Sequence, residues 1–149
     1  MLIDTIRTDM KAAMKAKDAV ALRTLRSIVS AVQEAEVAGT EPVTLSDGEV
    51  EKIIAAQAKR RVEAAEAFDG GGRTEQAEAE RAELAVLEGY LPEALGADEL
   101  EALVDAELAA GGFSSKADMG AAMKAINAKV AGRADGRAVA DLVKSRLST

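Results

Sequence analysis

Apolar residues recur along this chain every three to four positions, and no stretch alternates convincingly with a period of two. Leu2, Ile3, Ile6, Met10, Ala13 and Met14 fall on one helical face and predict a first helix. Asp18 is placed to cap a second helix, with Leu22, Leu25, Ile28, Val29 and Val32 on its apolar side and Gly39 followed by Pro42 closing it. Ser46 with Glu49 forms the pattern of a capping box. The third helix that it opens turns Val50, Ile53, Ile54, Ala58, Val62 and Phe68 inward. Asp69-Gly70-Gly71-Gly72 breaks that helix, because consecutive glycines have no helical preference. Thr74 is the expected cap of a fourth helix carrying Leu84, Leu87 and Leu91, which Pro92 stops.

Three shorter helices follow. Leu100, Leu103, Val104 and Leu108 mark one, ended by Gly111-Gly112. Ser115 with Asp118 caps the next, with Met119, Met123, Ile126 and Val130 in its stripe and Gly132 at its end. Asp135 caps the last, whose stripe is Val139, Leu142, Val143 and Leu147. The expected fold class is therefore all-α, with a four-helix N-terminal part over 1–92 and a three-helix C-terminal part over 93–149. "GYLPEALGADE", Gly89 to Glu99, is the expected boundary between them.

Composition narrows the chemistry. The 149 residues contain no Cys and no His. Disulfides, thiol nucleophiles, the usual zinc sites and the commonest general base are thereby absent. Neither a metal nor a cofactor is expected. Aromatics are limited to Phe68, Tyr90 and Phe113, too few for a base-stacking platform. No apolar run reaches the roughly 20 residues of a membrane span, and the N-terminus lacks a signal-peptide core. A cytoplasmic protein without a membrane partner is expected.

Charge adds the main clue. The net charge is −7, yet from Ser114 onward seven basic residues face three acidic ones, giving +4 against −11 for the first 113 residues. Arg137 and Lys144, seven residues apart, project together from the side of the last helix opposite its apolar stripe. With Lys124 and Lys129 on the preceding helix and Arg133 in the intervening turn, they define a candidate phosphate-contacting patch. Asp135, as a cap, and Asp141, on the same face, oppose it. The bland alternative is a solvated helix face, which most charge runs are.

Other stretches carry less. "AKRRVEAAEAFDGGGR", Ala58 to Arg73, sets basic residues before a glycine loop but lacks the Lys-Ser or Lys-Thr of a phosphate-binding loop, so it reads as an interhelical hairpin. "SSK", Ser114 to Lys116, has the residue types of an amidase centre, but serines before a helix are explained as caps. Glu75, Glu78, Glu83 and Glu88 beside Arg73 and Arg81 read as ion pairs on a solvated face rather than metal ligands. Lys11, Lys15, Lys17, Arg23 and Arg26 form a second modest basic patch.

"AELAVLEGYLPEAL", "SKADMGAAMKAINAKVAGRADGRAVADLVKSRL" and "MKAAMKAKDAVALRTLRSIVSAV" together resemble the YqeY family, the stand-alone GatB/YqeY-domain proteins, over nearly the whole chain. The resemblance implies a helical bundle joined to a small three-helix domain. It also implies similarity to the tRNA-contacting tail of GatB, a subunit of the glutamine-dependent amidotransferase that acts on Glu-tRNA(Gln) and Asp-tRNA(Asn). The family is associated with carbon–nitrogen ligase activity with glutamine as amido-N-donor. The turn that often reads Gly-Lys-Ala-Asn-Pro in GatB is Gly132-Arg133-Ala134-Asp135-Gly136 here, which keeps the basic residue and adds an acid. The expected function is a non-catalytic module that binds tRNA or structured RNA, or a translation partner, through Lys124, Lys129, Arg133, Arg137 and Lys144. DNA is not an expected partner. The alternatives are a component of a carbon–nitrogen ligase assembly and a protein-interaction module.

Overall fold

The computed structural model describes residues 1–148; Thr149, the last residue of the expected C-terminal part, lies outside the described residues. Seven α-helices and no named strand occur among the described residues: α1 Leu2–Ala16, α2 Ala19–Val37, α3 Asp47–Gly70, α4 Thr74–Glu88, α5 Ala97–Gly111, α6 Met119–Val130 and α7 Gly136–Arg146, with a single 3-10 turn at Lys116–Asp118. The chain packs as two compact units, the first Met1–Leu91 and the second beginning at Pro92.

In the first unit, burial follows the apolar stripes. Ile3 and Ile6 of α1, Leu25, Ile28 and Val32 of α2, Val50 and Ile54 of α3 and Leu87 of α4 form one core. The Asp18 carboxylate accepts from Ala21 N at 3.1 Å and starts α2. The capping box at Ser46 is complete: Glu49 N donates to Ser46 Oγ at 3.2 Å and Ser46 N donates to Glu49 Oε2 at 2.8 Å. Tyr90 donates its phenolic hydrogen to Asp9 Oδ2 at 2.5 Å, tying the end of this unit to α1. Burial and that carboxylate raise the phenol well above its ordinary value.

Three local expectations are corrected. Thr74 is the first residue of α4 rather than its cap; Arg73 holds the cap position without a side-chain bond. Arg73 O accepts from Ala77 N, the first bond of the helical ladder. Val62 and Met14 are exposed, at 39% and 54%. Each lies at the edge of its stripe, beyond the arc that neighbouring helices cover.

The second unit has its own core: Val104 and Leu108 of α5, Ala122, Ile126 and Val130 of α6, Val139 and Val143 of α7, and Leu147. Gly112 ends α5 in the left-handed conformation at φ 67°, where a side chain would be strained. The chain end pairs with the segment before α6: Lys116 N donates to Ser148 O at 2.8 Å and Ser148 N to Ser114 O at 2.9 Å. These bonds make one isolated parallel bridge between Ser115 and Ser148.

Candidate nucleic-acid interface

α6 and α7 owe their orientation to the buried residues just named, which leave the remaining arcs to solvent. Lys124, Lys129, Arg137 and Lys144 are all exposed. Among the described residues none of the four makes an ion pair, whereas Arg23, Arg61, Arg81 and Arg146 all do. Arg137 and Lys144 share a face of α7, about 20° apart at 100° per residue and about two turns along the axis. Asp141 stands between them in sequence, four residues after Arg137 and three before Lys144.

Lys124 departs from the single patch that the sequence suggests. Five residues separate it from Lys129, so the two point about 140° apart around α6. Lys129 at the end of α6 and Arg137 at the start of α7 flank the turn, whereas Lys124 lies in the middle of α6 on another arc from Lys129.

Arg133 also departs. It is half-buried, and its Nε donates to the Glu93 carbonyl at 2.8 Å. Its own carbonyl accepts from Leu95 N at 2.8 Å. The turn around it is tight: Ala131 ends α6 at φ 49° and Gly132 follows at φ 79°. Ala131 is one of two non-glycine residues with positive φ among the described residues, a conformation that strains an L residue.

The N-terminus of α7 is filled by its own cap. Asp135 Oδ2 accepts from Ala138 N at 3.2 Å, so its carboxylate sits where an external phosphate oxygen would. The other acids are segregated. α5 carries Asp98, Glu99, Glu101, Asp105 and Glu107 and no basic residue. Two of these hold Arg146, whose Nε donates to Asp105 Oδ1 at 3.0 Å and whose Nη2 lies 3.5 Å from Glu101 Oε1. From Pro92 onward nine acids face seven bases, so the unit is −2 overall; five of the seven bases lie on α6 and α7, with Lys116 and Arg133 in the turns before and between them.

The Ser-Ser-Lys stretch has a structural occupation. Asp118 Oδ2 accepts from Ser114 N at 2.9 Å and Ser115 N at 3.1 Å, with Ser115 Oγ at 3.4 Å. The two backbone donors hold the Asp118 carboxyl below its ordinary range. Among the described residues the hydrogen-bond partner of the Ser115 hydroxyl is a carboxylate and not a lysine. Among the described residues no cluster of three or more acidic side chains is placed to hold a metal ion.

Sequence reasoning missed two constellations. Arg146 reads as one more tail cation, and its partners lie 41 and 45 residues away in the chain. Arg23, Arg61 and Glu83 belong to three separately considered stretches, yet converge in the first unit: Arg23 Nε donates to Glu83 Oε1 at 2.8 Å and Arg61 Nε lies 3.4 Å from Glu83 Oε2. No local pattern joins residues so distant in sequence.

Comparison with known proteins adds ancestry. A family model described as "Yqey-like protein" matches residues 3–147. "Altered inheritance of mitochondria protein 41, mitochondrial" from Pyrenophora tritici-repentis is 30% identical over 136 residues, 90% of this chain and 74% of that protein. Proteins of the same name from Meyerozyma guilliermondii and Clavispora lusitaniae are each 30% identical over 60% of this chain, covering 46% and 51% of their own lengths. The chain thus spans about half the length of two of these relatives.

Proposed function

Because the chain belongs to the Yqey-like protein family, we propose that it is a non-catalytic helical module that holds tRNA or another structured RNA through the exposed cations of α6 and α7. The observation that carries this reading is the segregation of charge in the second unit: α6 and α7 hold five bases and one acid, α5 five acids and no base. Lys129, Arg137 and Lys144 stand exposed without an acidic partner among the described residues, while Arg146 nearby is spent on α5. Cations left unpaired beside so many carboxylates are available to phosphates, and each phosphate neutralised releases counterions. Recognition would rest on phosphate and shape, since the aromatics needed to stack bases are absent from this unit apart from Phe113. The acidic first unit and α5 repel a polyanion and so orient the encounter.

Recognition is favoured over catalysis by the same geometry. Ser115 Oγ is bonded at 3.4 Å to the Asp118 carboxylate, which caps the turn through the Ser114 and Ser115 amides, and not to a lysine. The carbon–nitrogen ligase association of the family would then concern a larger assembly to which this chain contributes binding. A cytoplasmic location belongs to the proposal as well; the fungal relatives carry "mitochondrial" in their names.

Fluorescence anisotropy with labelled tRNA tests it. The full chain should bind, and Arg137→Gln with Lys144→Gln should weaken binding without loss of helical content. Unchanged affinity in that double variant rejects the reading. A protein that stays bound to the chain after nuclease treatment, with no tRNA affinity, would replace RNA by a translation partner.

A further inference from the structure

α2, α3 and α4 enclose a polar cleft of about 270 Å³ lined by Arg23, Thr24, Ser27, Gln57, Arg61, Glu83 and Leu87. Its floor is unusual for a helical core. Thr24 and Gln57 are the buried polar residues among the described ones, each 5% exposed, and both line it. A buried polar group is costly unless its hydrogen bonds are satisfied. Thr24 is satisfied, its Oγ1 donating to Val20 O at 2.8 Å, but the bonds of Gln57 are long: Ser27 Oγ donates to Gln57 Oε1 and Gln57 Nε2 to Ser27 O, both at 3.3 Å.

The rim is an oriented pair of guanidinium groups. Glu83, with its side chain only 14% exposed, accepts from Arg23 Nε on one oxygen and faces Arg61 Nε with the other. Arg61 Nη1 donates to Glu80 Oε2 at 2.9 Å. Arg23 is thus held by its Nε, and Arg61 chiefly by Nη1, with its Nε facing Glu83. The two η nitrogens of Arg23 and Nη2 of Arg61 have no partner among the described residues. A guanidinium end is the donor fork that suits a planar carboxylate.

We propose that this cleft binds a small monocarboxylate bearing a second hydrogen-bonding group, the carboxylate on the η nitrogens of Arg23 and Arg61 and the second group on Ser27 and Gln57. Charge selects the ligand. Arg23, Arg61, Glu80 and Glu83 sum to zero, so one added negative charge is tolerated, whereas the −1.5 to −2 or so of a phosphate meets two carboxylates at close range. Size selects it too, since the volume lies near the lower end of small-molecule pockets, about 300 Å³.

The probes are glycolate, acetate and inorganic phosphate, titrated into the full chain while the Gln57 side-chain amide and the Leu87 methyl groups are followed by NMR. Glycolate should saturate both signals and bind about three- to tenfold more tightly than acetate, the worth of one hydrogen bond. Phosphate should be the weakest. Arg23→Gln, at a side chain 61% exposed, should abolish saturation while the remaining spectrum stays folded. Gln57→Met should make glycolate and acetate equal. Absence of saturation by glycolate, equal or tighter binding of phosphate, or an unaltered Arg23→Gln titration would each overturn the proposal.

Discussion

Arg133 Nε donates to the carbonyl of Glu93 at 2.8 Å, and the carbonyl of Arg133 accepts from Leu95 N at the same distance. This double link pins the segment that enters α5 to the turn between α6 and α7. A residue that the sequence marks as a phosphate ligand is thus first a structural clamp, with only its outer nitrogens left over.

Arg133→Gln should therefore act mainly on stability. The expected cost is about 1 kcal/mol, typical of one exchanged hydrogen bond, read by urea denaturation followed by circular dichroism. Its effect on tRNA affinity should be smaller than that of Arg137→Gln. The reverse order, with stability unchanged and affinity lost, would make Arg133 a direct contact.

Asp135 sets stability against binding. Its carboxylate caps α7 through Ala138 N, so Asp135→Ala should cost about 0.5–2 kcal/mol. The same change bares the helix N-terminus and removes a negative charge, so tRNA should bind more tightly. Asp135→Asn separates the effects, because asparagine caps as well as aspartate: affinity should rise with stability nearly unchanged. Parallel denaturation and anisotropy measurements on the two variants decide it.

The helices were legible because their signals are local. Apolar stripes at Ile28 or Ile126 and caps at Asp18, Ser46 and Asp135 lie within a turn or two of what they control. The candidate interface was legible only as a set of residue types. Exposure of Lys129 and Arg137 follows from the stripe, but the clamp of Arg133 on Glu93 and the pairing of Arg146 with Asp105 depend on chain segments about 40 residues away. The cap assigned to Thr74 failed because a threonine within the first helical turn carries the same sequence signal as one just before it.

Asp118 predicts a pH dependence. Its carboxyl is held below the ordinary 3.8 by the amides of Ser114 and Ser115. The folded state therefore prefers the charged form. What Asp118 contributes to stability is present above the unfolded value and is lost as pH falls through the lowered folded value. The amide shifts of Ser114 and Ser115 should titrate together with a midpoint below 3.8, and Asp118→Asn should remove that step. A midpoint at or above 3.8 would contradict the hydrogen-bonded turn.

The two cores share no residue. Ile126→Ala and Ile28→Ala should each cost about 2–5 kcal/mol, but in different places. Hydrogen exchange should show protection lost in α5 to α7 for the first and in α1 to α4 for the second. Limited proteolysis should cut between Gly89 and Asp98 or in Asp69 to Arg73. Uniform loss of protection along the whole chain in either variant would mean that the units fold as one.

The salt dependence of tRNA binding tests the central claim most directly. With a few of the α6–α7 cations engaged, a plot of log affinity against log salt should have a slope on the order of −2 to −4. Changing Lys129, Arg137 and Lys144 together to Gln should flatten it, and Lys124→Gln, on another arc of α6, should alter it less. A slope that the triple change leaves untouched would contradict the account, leaving these residues as a solvated helix face.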